Sequence, residues 1–302
     1  MHVFADEMQF FIRFYFIIIQ ENMIKIDDLQ LIGSGATANV YLYDNNKIIK
    51  LFNNDYDINT VNYEAKIAQE INDSCITAPK FYQTIIINGQ NGIVYEFVEG
   101  ELLFSLLLKS SLPQGIKLIK KLAQTQISIN QKRNNNITSQ IDRFSYLINK
   151  STGIESYKDV LIEGLKSIKQ DNCICHGDLH AGNIIVNSSG YVAIDWMNCY
   201  AGNKEGDLIR SYLMLVSPYI PFPAGRIIRI LFRIYKNILG HVYMKEYLKL
   251  TKLKKKELRK WYSIIAASRL ADNVPNEEQW LIKIIRKNIN YLKKLQPDIS
   301  RV

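Results

Sequence analysis

The eight residues 176–183 constrain this chain more than any other part of it. They read His-Gly-Asp-Leu-His-Ala-Gly-Asn and lie between two short apolar runs, Cys173–Cys175 and Ile184–Val186, that are predicted to be strands. Gly177 and Gly182 argue against a helix across this stretch, because only proline weakens a helix more than glycine does. The sequence therefore predicts a polar loop held between two strands.

The polar residues in and after this loop suit the transfer of a phosphoryl group. Asp178 can accept or orient the proton of an attacking hydroxyl, and Asn183 can bind Mg²⁺ through its amide oxygen while it holds the loop. Asp195 ends the next predicted hairpin, where a carboxylate can bind a Mg²⁺ that bridges the β- and γ-phosphates. These three groups predict phosphoryl transfer, because that reaction depends mainly on positioning and on charge neutralisation.

The histidines and cysteines do not follow a metal-binding pattern. His176 and His180 are four residues apart, which would suit zinc on a helix, but the glycines oppose a helix and no H-E-x-x-H is present. We interpret both histidines as support for the loop through hydrogen bonds. The four cysteines form no C-x-x-C pair and are expected to be reduced thiols that pack as small apolar residues.

A glycine-containing segment near the start of the chain is a candidate phosphate-binding turn. Gly33, Ser34 and Gly35, followed by Val40, lie between two predicted strands, and glycine lets backbone N–H groups approach phosphate oxygens. These four residues are predicted to bind a nucleotide. A G-x-G pattern alone is weak, and an ordinary hairpin explains it equally well. The segment does not open a helix, which argues against a dinucleotide-binding Rossmann domain.

Two lysines on the next predicted strand compete for contact with the phosphates. Lys47 and Lys50 are three residues apart, so their side chains point to opposite faces of the strand. Lys50 shares its face with the apolar Phe52, and we therefore favour Lys50 and expect Lys47 to lie in solvent at the turn. Glu64, on the predicted helix that follows, is the expected carboxylate partner of Lys50.

The hydrophobic pattern divides the chain into two different parts. From Leu29 to about Phe97 it predicts strands and turns around one helix at Thr60–Ile71, and beyond that it predicts mainly helices with a short β island around the loop. The fold class is therefore predicted as α+β, with two lobes like those of a protein kinase: a β-rich N-lobe and a mainly helical C-lobe. Residues 23–98 form the predicted nucleotide-binding N-lobe, and residues 99–302 form the predicted C-lobe with the catalytic loop and the acceptor site.

Residues 1–22 form an apolar N-terminal extension. The run Phe10–Ile19 is shorter than the roughly 20 residues that span a bilayer, and Arg13 interrupts it. It lacks the basic start and the cleavage site of a signal peptide. A packed helix or strand and an interfacial anchor remain open, but we favour an extension upstream of a true start at Met23, because a coherent domain begins there.

The charge of the chain is basic, with a formal net charge of +9 and a pI near 9.2. The lysine runs, such as Lys252–Lys256, are not interleaved with aromatic residues as nucleic-acid-binding segments are, and they suit a solvated helical face. We therefore expect no nucleic-acid partner. No membrane association and a cytoplasmic location are also expected, while the oligomeric state stays open.

The loop and the Ile194-Asp195-Trp196 stretch together resemble the aminoglycoside phosphotransferase and choline kinase superfamily, which are small-molecule kinases with a protein-kinase-like fold. The order of features matches from about Leu29 to about Ile285. Protein kinases usually carry H-R-D, D-F-G and A-P-E. Here Gly177 replaces the arginine, Trp196 replaces the phenylalanine, and no A-P-E follows. The resemblance is thus to small-molecule kinases of a bacterial branch.

The resemblance implies a role for each of the matching residues. Asp178 would be the catalytic base, Asn183 and Asp195 would bind Mg²⁺, and ATP or GTP would donate the phosphate. Lys50 would contact the α- and β-phosphates. The other implied assignments are adenine contacts through backbone groups of the segment that contains Glu96 and Val98, and a structural role in the C-lobe for Asp207. The sequence departs from the family at Ala38, where a third glycine is usual, and at Gln124-Thr125-Gln126, where a histidine is often found.

The predicted function is Mg²⁺-dependent transfer of the γ-phosphate to a hydroxyl of a small molecule, such as an aminoglycoside, an amino alcohol or a sugar-like acceptor. A nucleotide-binding protein with a kinase fold but without catalysis, and a protein kinase, are the alternatives. Three late acidic residues are predicted either to line a pocket for a cationic acceptor or to form a solvated helix face: Asp272, Glu277 and Glu278.

Overall fold

A computed structural model describes residues 25–35 and 37–294 of the chain. The chain divides between Glu99 and Gly100 into two compact units. The first unit is built on a β-sheet and the second is mainly helical, so the α+β class predicted from the sequence is confirmed. The predicted apolar extension, residues 1–22, lies outside the described residues.

The first unit contains one antiparallel sheet of five strands in the order β1-β2-β3-β5-β4. A 3-10 turn at Ile26–Asp28 precedes the sheet, and one helix, α1, lies between β3 and β4. The bounds are β1 Gln30–Ser34, β2 Ala38–Asp44, β3 Lys47–Phe52, α1 Ile58–Asp73, β4 Phe81–Ile87 and β5 Gln90–Glu96.

Local sequence explains where these elements turn and begin. Asn88 and Gly89 both have positive φ (50° and 80°), which is the backbone that a two-residue hairpin between β4 and β5 requires. Asp57 caps α1, since its side chain accepts a hydrogen bond from the Asn59 N–H. Strand β5 ends at Glu96.

The sheet buries apolar side chains on both faces, as expected for alternating residues of a strand. One cluster joins the α1-facing side of the sheet to the helix and consists of Ala38, Phe52, Val61, Ala65 and Ile93. The other consists of Ile49, Leu51, Ile85, Ile87 and Val94. Lys50 lies between Ile49 and Leu51 on β3, so its stem emerges on the face that Phe52 shares. This packing fixes the direction of the Lys50 side chain.

The second unit contains eight helices and five short strands among its described residues. The strands are β6 Glu101–Leu102, β7 Cys173–Cys175, β8 Ile184–Asn187, β9 Gly190–Ala193 and β10 Tyr200–Gly202. The helices are α2 Leu103–Lys109, α3 Leu112–Asn130, α4 Gln140–Lys150, α5 Lys158–Ser167, α6 Lys204–Val216, α7 Arg226–Thr251, α8 Lys255–Leu270 and α9 Glu278–Lys293. Among residues 25–35 and 37–294, none of the helices has both the length and the apolar character that a membrane crossing needs.

Two strands of the second unit were not predicted from the sequence. Strand β6 pairs with β8, and β10 pairs with β7, both antiparallel. They contain two and three residues, which is too short for an alternating pattern to be seen. The rest of the second unit is mainly helical, and Pro218, Pro221 and Pro223 lie in the connection between α6 and α7.

The cysteines lie mostly in the interior of the second unit. Cys173, Cys175 and Cys199 are buried, and all four cysteines are free thiols. Burial raises the pKa of Cys173 to about 11, so this thiol stays protonated near neutral pH. Cys75 is exposed, and the prediction that all four pack as small apolar residues is wrong for it.

Candidate active site

The loop that follows β7 turns sharply at its second residue. Gly177 has a φ of 74°, a region that side chains disfavour, and a Cβ atom there would collide with the backbone carbonyl of Asn198. A short 3-10 turn at Ala181–Asn183 then leads directly into β8. The loop is therefore fixed at its start by a close backbone approach and at its end by a strand.

Asp207 accepts a hydrogen bond from the backbone at the start of this loop. It lies on α6, is fully buried, and accepts the Gly177 N–H at 3.0 Å through Oδ1. Its Oδ2 accepts hydrogen bonds from Gln126 Nε2 at 2.9 Å and from Asn130 Nδ2 at 3.0 Å, both on α3. Three donors thus satisfy a carboxylate that is removed from water.

Two tyrosines of α7 complete this buried network. The Tyr243 hydroxyl donates to Gln126 Oε1, and the Tyr247 hydroxyl donates to Asn130 Oδ1 at 2.8 Å. Because each amide oxygen accepts from a tyrosine, each amide nitrogen is directed at Asp207. No role was predicted for these four residues from the sequence. The sequence does contain a pattern that could have indicated them. Gln126 and Asn130 are four residues apart on α3, Tyr243 and Tyr247 are four apart on α7, and both pairs interrupt apolar helix faces.

His176 connects the loop to the end of strand β9. Its ring is fully buried, its Nδ1 accepts the Asp178 N–H at 3.2 Å, and its Nε2 lies 3.1 Å from the Ile194 carbonyl oxygen. Burial lowers the pKa of His176, so the neutral ring donates from Nε2 and accepts at Nδ1. The ring also packs against Trp196. His176 therefore makes the kind of hydrogen bonds predicted for loop support.

His180 stabilises the turn within the loop. Its Nδ1 accepts the Gly182 N–H at 3.0 Å, and its Nε2 lies 3.7 Å from Asp178 Oδ2. Loss of water around the ring lowers the pKa of His180, which favours the neutral form beside the carboxylate. The contact between His180 and Asp178 is then a polar contact near neutral pH, rather than an ion pair.

Asn183 is fixed against Asp178 through its amide nitrogen. Asn183 Nδ2 donates to the Asp178 backbone oxygen at 2.9 Å and lies 3.3 Å from Asp178 Oδ2. The amide oxygen of Asn183 is thereby turned away from the loop backbone. The Asn183 backbone oxygen accepts the Ile194 N–H at 3.0 Å, so the residue before Asp195 is hydrogen-bonded to Asn183.

Asp195 has an unusual backbone and an exposed side chain. Its φ of 62° and ψ of 69° place it in the left-handed region, which is uncommon for a residue other than glycine. This conformation ends β9 abruptly and begins a 3-10 turn at Trp196–Asn198. Hydrogen bonds of His176 and Asn183 thus connect the chain segments that carry Asp178, Asn183 and Asp195.

Asp178 is surrounded by groups that favour its ionised form. Burial by itself would raise the pKa of Asp178, but the charged forms of His180 and His176 and the permanent charge of Arg210 outweigh it, and the pKa is lowered. A carboxylate with a lowered pKa is ionised near neutral pH and can accept a proton or a hydrogen bond. This is the state that orienting a hydroxyl group requires.

An arginine network supports the loop from its other side. Arg210 on α6 donates through Nε to the Gly177 carbonyl oxygen, and its Nη2 donates to Asp272 Oδ2 at 2.8 Å. Arg269 on α8 lies 3.5 Å from the same carboxylate and forms two hydrogen bonds to Glu277, at 2.7 and 2.8 Å. The chain between α8 and α9 is in this way tied to the loop.

This network corrects the predictions for the late acidic residues. Glu277 is buried, paired with Arg269, and accepts a hydrogen bond from the Ser217 hydroxyl, so it is neither solvated nor available to an acceptor. The Asp272 side chain is 27% exposed but is held by two arginines. Glu278 is exposed at the start of α9, as a solvated helix face would have it. No single sequence pattern revealed this network, because Arg210 lies 62 residues before Asp272 in the chain.

In the first unit, Lys50 and Glu64 form a buried ion pair. Lys50 Nζ lies 2.8 Å from Glu64 Oε1, and the two side chains are 15% and 3% exposed. The Tyr95 hydroxyl donates to the same oxygen at 3.2 Å. Lys47, in contrast, pairs with Asp44 in the turn at 3.1 Å, and both of these side chains are much more exposed. The contact predicted for Lys50 and Glu64 is therefore present, and Lys47 lies where it was expected.

The glycine-containing segment forms a tight β-hairpin between β1 and β2. Gly33 pairs with Val40, and the Gly35 N–H donates to the Ala38 carbonyl oxygen at 2.9 Å. The Ser34 hydroxyl donates to an oxygen of the Asn39 side chain. The Gly35 N–H is therefore used inside the hairpin. Its nucleotide-binding role, like that of its neighbours, stays a prediction.

The predicted adenine-contact residues lie at the end of β5. Glu96 is exposed and accepts the Lys80 N–H at 3.1 Å through its side chain, and its own N–H donates to the Lys80 carbonyl oxygen. Val98 follows the strand and is half-buried. Nucleotide contacts for Glu96 and Val98 stay predictions.

The donor atoms near the loop suit Mg²⁺ better than a transition metal. In the described parts of the chain, no group of three or more His, Cys, Asp or Glu side chains is placed to hold a metal ion. Asn183 and Asp195 instead offer an amide oxygen and an exposed carboxylate. Mg²⁺ prefers such oxygen ligands and usually keeps several waters, so one or two protein ligands beside substrate phosphates are sufficient. The residues present fit the predicted ion.

A comparison of the sequence with models of protein families identifies one family. The sequence profile of the family described as "Phosphotransferase enzyme family" (APH) matches residues 28–238. Among curated proteins, none has a sequence that matches this chain.

Solved structures of similar fold come from the same kind of enzyme. An ADP-bound aminoglycoside phosphotransferase, APH(2'')-Ib, has a TM-score of 0.54 at 15% identity and covers 92% of this chain and 95% of its own. The gentamicin complex of APH(2'')-IIa has a TM-score of 0.56 at 15% identity, with coverages of 92% and 94%. The amicoumacin kinase hAmiN, in complex with AMP-PNP and Ca²⁺, has a TM-score of 0.57 at 14% identity, with coverages of 90% and 93%. At these identities the likeness is one of fold, and it confirms the protein-kinase-like fold predicted from the sequence.

The two lysines of β3 provide a matched test of the phosphate contact. We expect Lys50→Met to weaken ATP binding about tenfold or more, because a charge-assisted hydrogen bond to phosphate contributes roughly 1.5–3 kcal/mol. Lys47→Met removes the same charge from the same strand and should change the affinity less than about twofold, since exposed ion pairs contribute little. Isothermal titration calorimetry measures both, with a thermal melt to check that each variant folds. Equal losses in the two variants would show that the predicted role of Lys50 is wrong.

Arg210 is expected to act as a positioning residue for the loop. Arg210→Gln removes the hydrogen bond to the Gly177 carbonyl and the pairing with Asp272, so kcat should fall by roughly ten- to a hundredfold while the KM for nucleotide stays within about twofold. Arg210→Lys keeps the charge and should recover part of kcat. Arg259→Gln, an exposed arginine of α8 that contacts Tyr291, is the control. A kcat equal to that of the unchanged protein would contradict the role of Arg210.

Proposed function

The chain belongs to the phosphotransferase enzyme family, and we propose that it transfers the γ-phosphoryl group of ATP or GTP to a hydroxyl group of a small molecule with the help of Mg²⁺. The observation that carries this proposal is the contact of Asn183 Nδ2 with both the backbone and the carboxylate of Asp178, at 2.9 and 3.3 Å. That contact joins an ionised carboxylate to an amide ligand, as phosphoryl transfer needs.

Asp178 performs the proton step of the proposed reaction. Its ionised carboxylate accepts the hydrogen bond of the acceptor hydroxyl and aims the oxygen at the γ-phosphorus. A bond forms between that oxygen and phosphorus, the bond from phosphorus to the β,γ-bridging oxygen breaks, and ADP or GDP leaves. The hydroxyl proton passes to Asp178. The lowered pKa of Asp178 keeps its carboxylate ionised at neutral pH, which is the form that can accept this hydrogen bond.

Asn183 and Asp195 are the residues proposed to hold Mg²⁺. When bound, the ion would neutralise charge on the β- and γ-phosphate oxygens. The protein prepares this site without the ion, because the Asn183 backbone is hydrogen-bonded to Ile194 and its side chain to Asp178. These hydrogen bonds within the protein position the two proposed ligands before a nucleotide binds.

The first unit is proposed to bind the phosphates of the nucleotide. The carboxylate of Glu64 orients the Lys50 side chain and also accepts a hydrogen bond from the Tyr95 hydroxyl. Because the Lys50 ammonium group is already ordered, phosphate binding costs less conformational entropy. Gly33, Ser34, Gly35 and Val40 of the hairpin, and backbone groups of Glu96 and Val98, are the remaining proposed contacts.

The proposed acceptors are small molecules that carry a hydroxyl group. Structures of similar fold hold gentamicin and streptomycin, which makes amino sugars a reasonable first panel beside choline-like alcohols and simple sugars. Since Glu277 is buried and Asp272 is paired with two arginines, two of the three acids predicted to attract a cationic acceptor are already neutralised. We therefore expect neutral hydroxyl compounds to be accepted as readily as cationic ones.

Two aspartates and one control test the assignment of roles. We expect Asp178→Asn to reduce phosphoryl transfer to any accepted acceptor by about 10²–10⁴-fold while Mg²⁺–ATP still binds, because only proton acceptance is lost. Asp195→Asn should remove the Mg²⁺ dependence of nucleotide binding. Asp159→Asn, an exposed aspartate at the start of α5, should match the unchanged protein.

The measurements also separate the alternatives. Coupled ADP release with the acceptor panel gives turnover, and thermal shift with ATP, with and without Mg²⁺, gives binding. Full turnover in Asp178→Asn would show that this residue is not the base. Nucleotide binding without turnover of any acceptor would favour a binding protein, and transfer from labelled ATP to protein bands of a lysate would favour a protein kinase.

A further inference from the structure

The first half of helix α7 exposes an apolar stripe that the proposed function does not use. The stripe consists of Ile227, Ile230, Leu231, Ile234 and Ile238, whose exposed fractions range from 37% to 74%. Their spacing of three, four, seven and eleven residues from the first places them on one face of the helix. Ile228, 57% exposed, lies at the edge of this face. Single exposed apolar residues are common, but five in one helical row are not.

The stripe is not the side on which α7 packs into the protein. The opposite side carries the buried Leu239, Tyr243 and Tyr247, and the Tyr235 hydroxyl donates to the Leu107 carbonyl oxygen. The side of the helix opposite the stripe is therefore held in the protein, in part by the tyrosines that donate hydrogen bonds to Gln126 and Asn130. An anchored helix presents its stripe as a fixed, rather than a frayed, surface.

A row of arginines runs beside the stripe. Arg226, Arg229 and Arg233 line a surface cleft of about 350 Å³ together with Ile220, Ala224 and Ile230. Within the described residues, none of the three arginines forms an ion pair with a carboxylate. From Leu208 to Lys245 the sequence contains no aspartate or glutamate at all. Ile230 belongs to both the stripe and the cleft, so the apolar and the cationic surfaces are continuous.

We propose that the stripe and the arginine row form a docking surface for an anionic phospholipid bilayer. Helices that lie in the membrane interface combine an apolar face with flanking arginines and lysines, and their binding adds apolar burial to attraction by anionic headgroups. The arginines would bind lipid phosphates through paired hydrogen bonds, and the isoleucines and leucine would enter the boundary of the acyl chains. This differs from the expectation from the sequence that no membrane is involved.

The charges favour a bilayer over a second copy of the chain. Two copies that met through this stripe would bring two arginine rows to one interface, and the helix segment supplies no carboxylate to pair with either row. Like charges in such a place weaken association. Anionic lipid headgroups supply the missing negative charge at the place where the arginines lie. The proposal is independent of the phosphoryl-transfer chemistry, since no residue of the candidate active site is part of this surface.

Vesicle co-sedimentation of the full chain tests the proposal. We expect binding to vesicles that contain phosphatidylglycerol, weaker binding to pure phosphatidylcholine vesicles, and loss at high salt. The triple variant Arg226→Gln, Arg229→Gln, Arg233→Gln should bind on the order of a hundredfold more weakly, because each basic residue contributes about 1 kcal/mol at such a surface. Its control removes three exposed lysines of the second unit: Lys252→Gln, Lys255→Gln, Lys256→Gln. The control should lose far less.

A second variant and its matched control test the apolar stripe. Ile227→Ser, Leu231→Ser, Ile234→Ser should lose vesicle binding, whereas Leu31→Ser, Ile86→Ser, Leu108→Ser, which changes three other exposed apolar residues, should retain it. Every variant keeps the apolar residues 10–19, so the differences report on α7 alone. Equal binding to both kinds of vesicle, or equal binding of the α7 variants and their controls, would overturn the proposal. A dimer in sedimentation equilibrium that the stripe variant dissociates, without vesicle binding, would also overturn it and assign the surface to a second copy.

Discussion

The carboxylate of Asp207 is the interaction on which the rest of the second unit depends. It is fully buried, and its two oxygens accept from the Gly177 backbone, Gln126 and Asn130. A buried carboxylate is tolerated only when its hydrogen bonds are complete, so α3, α6 and the loop must come together in one arrangement. Tyr243 and Tyr247 extend the same requirement to α7. The position of Asp178 follows, because it is the residue after the one that Asp207 holds.

The loop is supported by two kinds of contact with different effects. Neutral groups fix its geometry: His176 binds the Asp178 N–H and the Ile194 carbonyl, and Asn183 binds the Asp178 backbone. Charged groups set its electrostatics, since Arg210 contacts Gly177 and helps to lower the pKa of Asp178. In the first unit one buried pair, Lys50 and Glu64, does both, because the same carboxylate orients the lysine and balances its charge.

The sequence predicted the parts of the site that are close in the chain. The loop, its two histidines and Asp195 lie within 20 residues, so their chemistry could be predicted from spacing. Lys50 could be preferred to Lys47 because strand alternation is local. The Arg269–Glu277 pair with its link to Arg210 could not be predicted, because it depends on which helices meet. The exposure of the apolar stripe on α7 could not be predicted either, although its residues are close in the chain. Its spacing is that of a packing face, yet the structure exposes it.

Asp207 is expected to order the loop that is proposed to carry out phosphoryl transfer. Hydrogen exchange at the Gly177 amide of Asp207→Asn, combined with a measurement of Mg²⁺-dependent ATP turnover, tests this expectation most directly. An amide at position 207 has only one accepting oxygen for the three donors, so one contact must be lost. We expect faster exchange at Gly177 and Asp178 and at least about a tenfold loss of turnover in a chain that still folds. Unchanged protection of Gly177 together with unchanged turnover would contradict the claim.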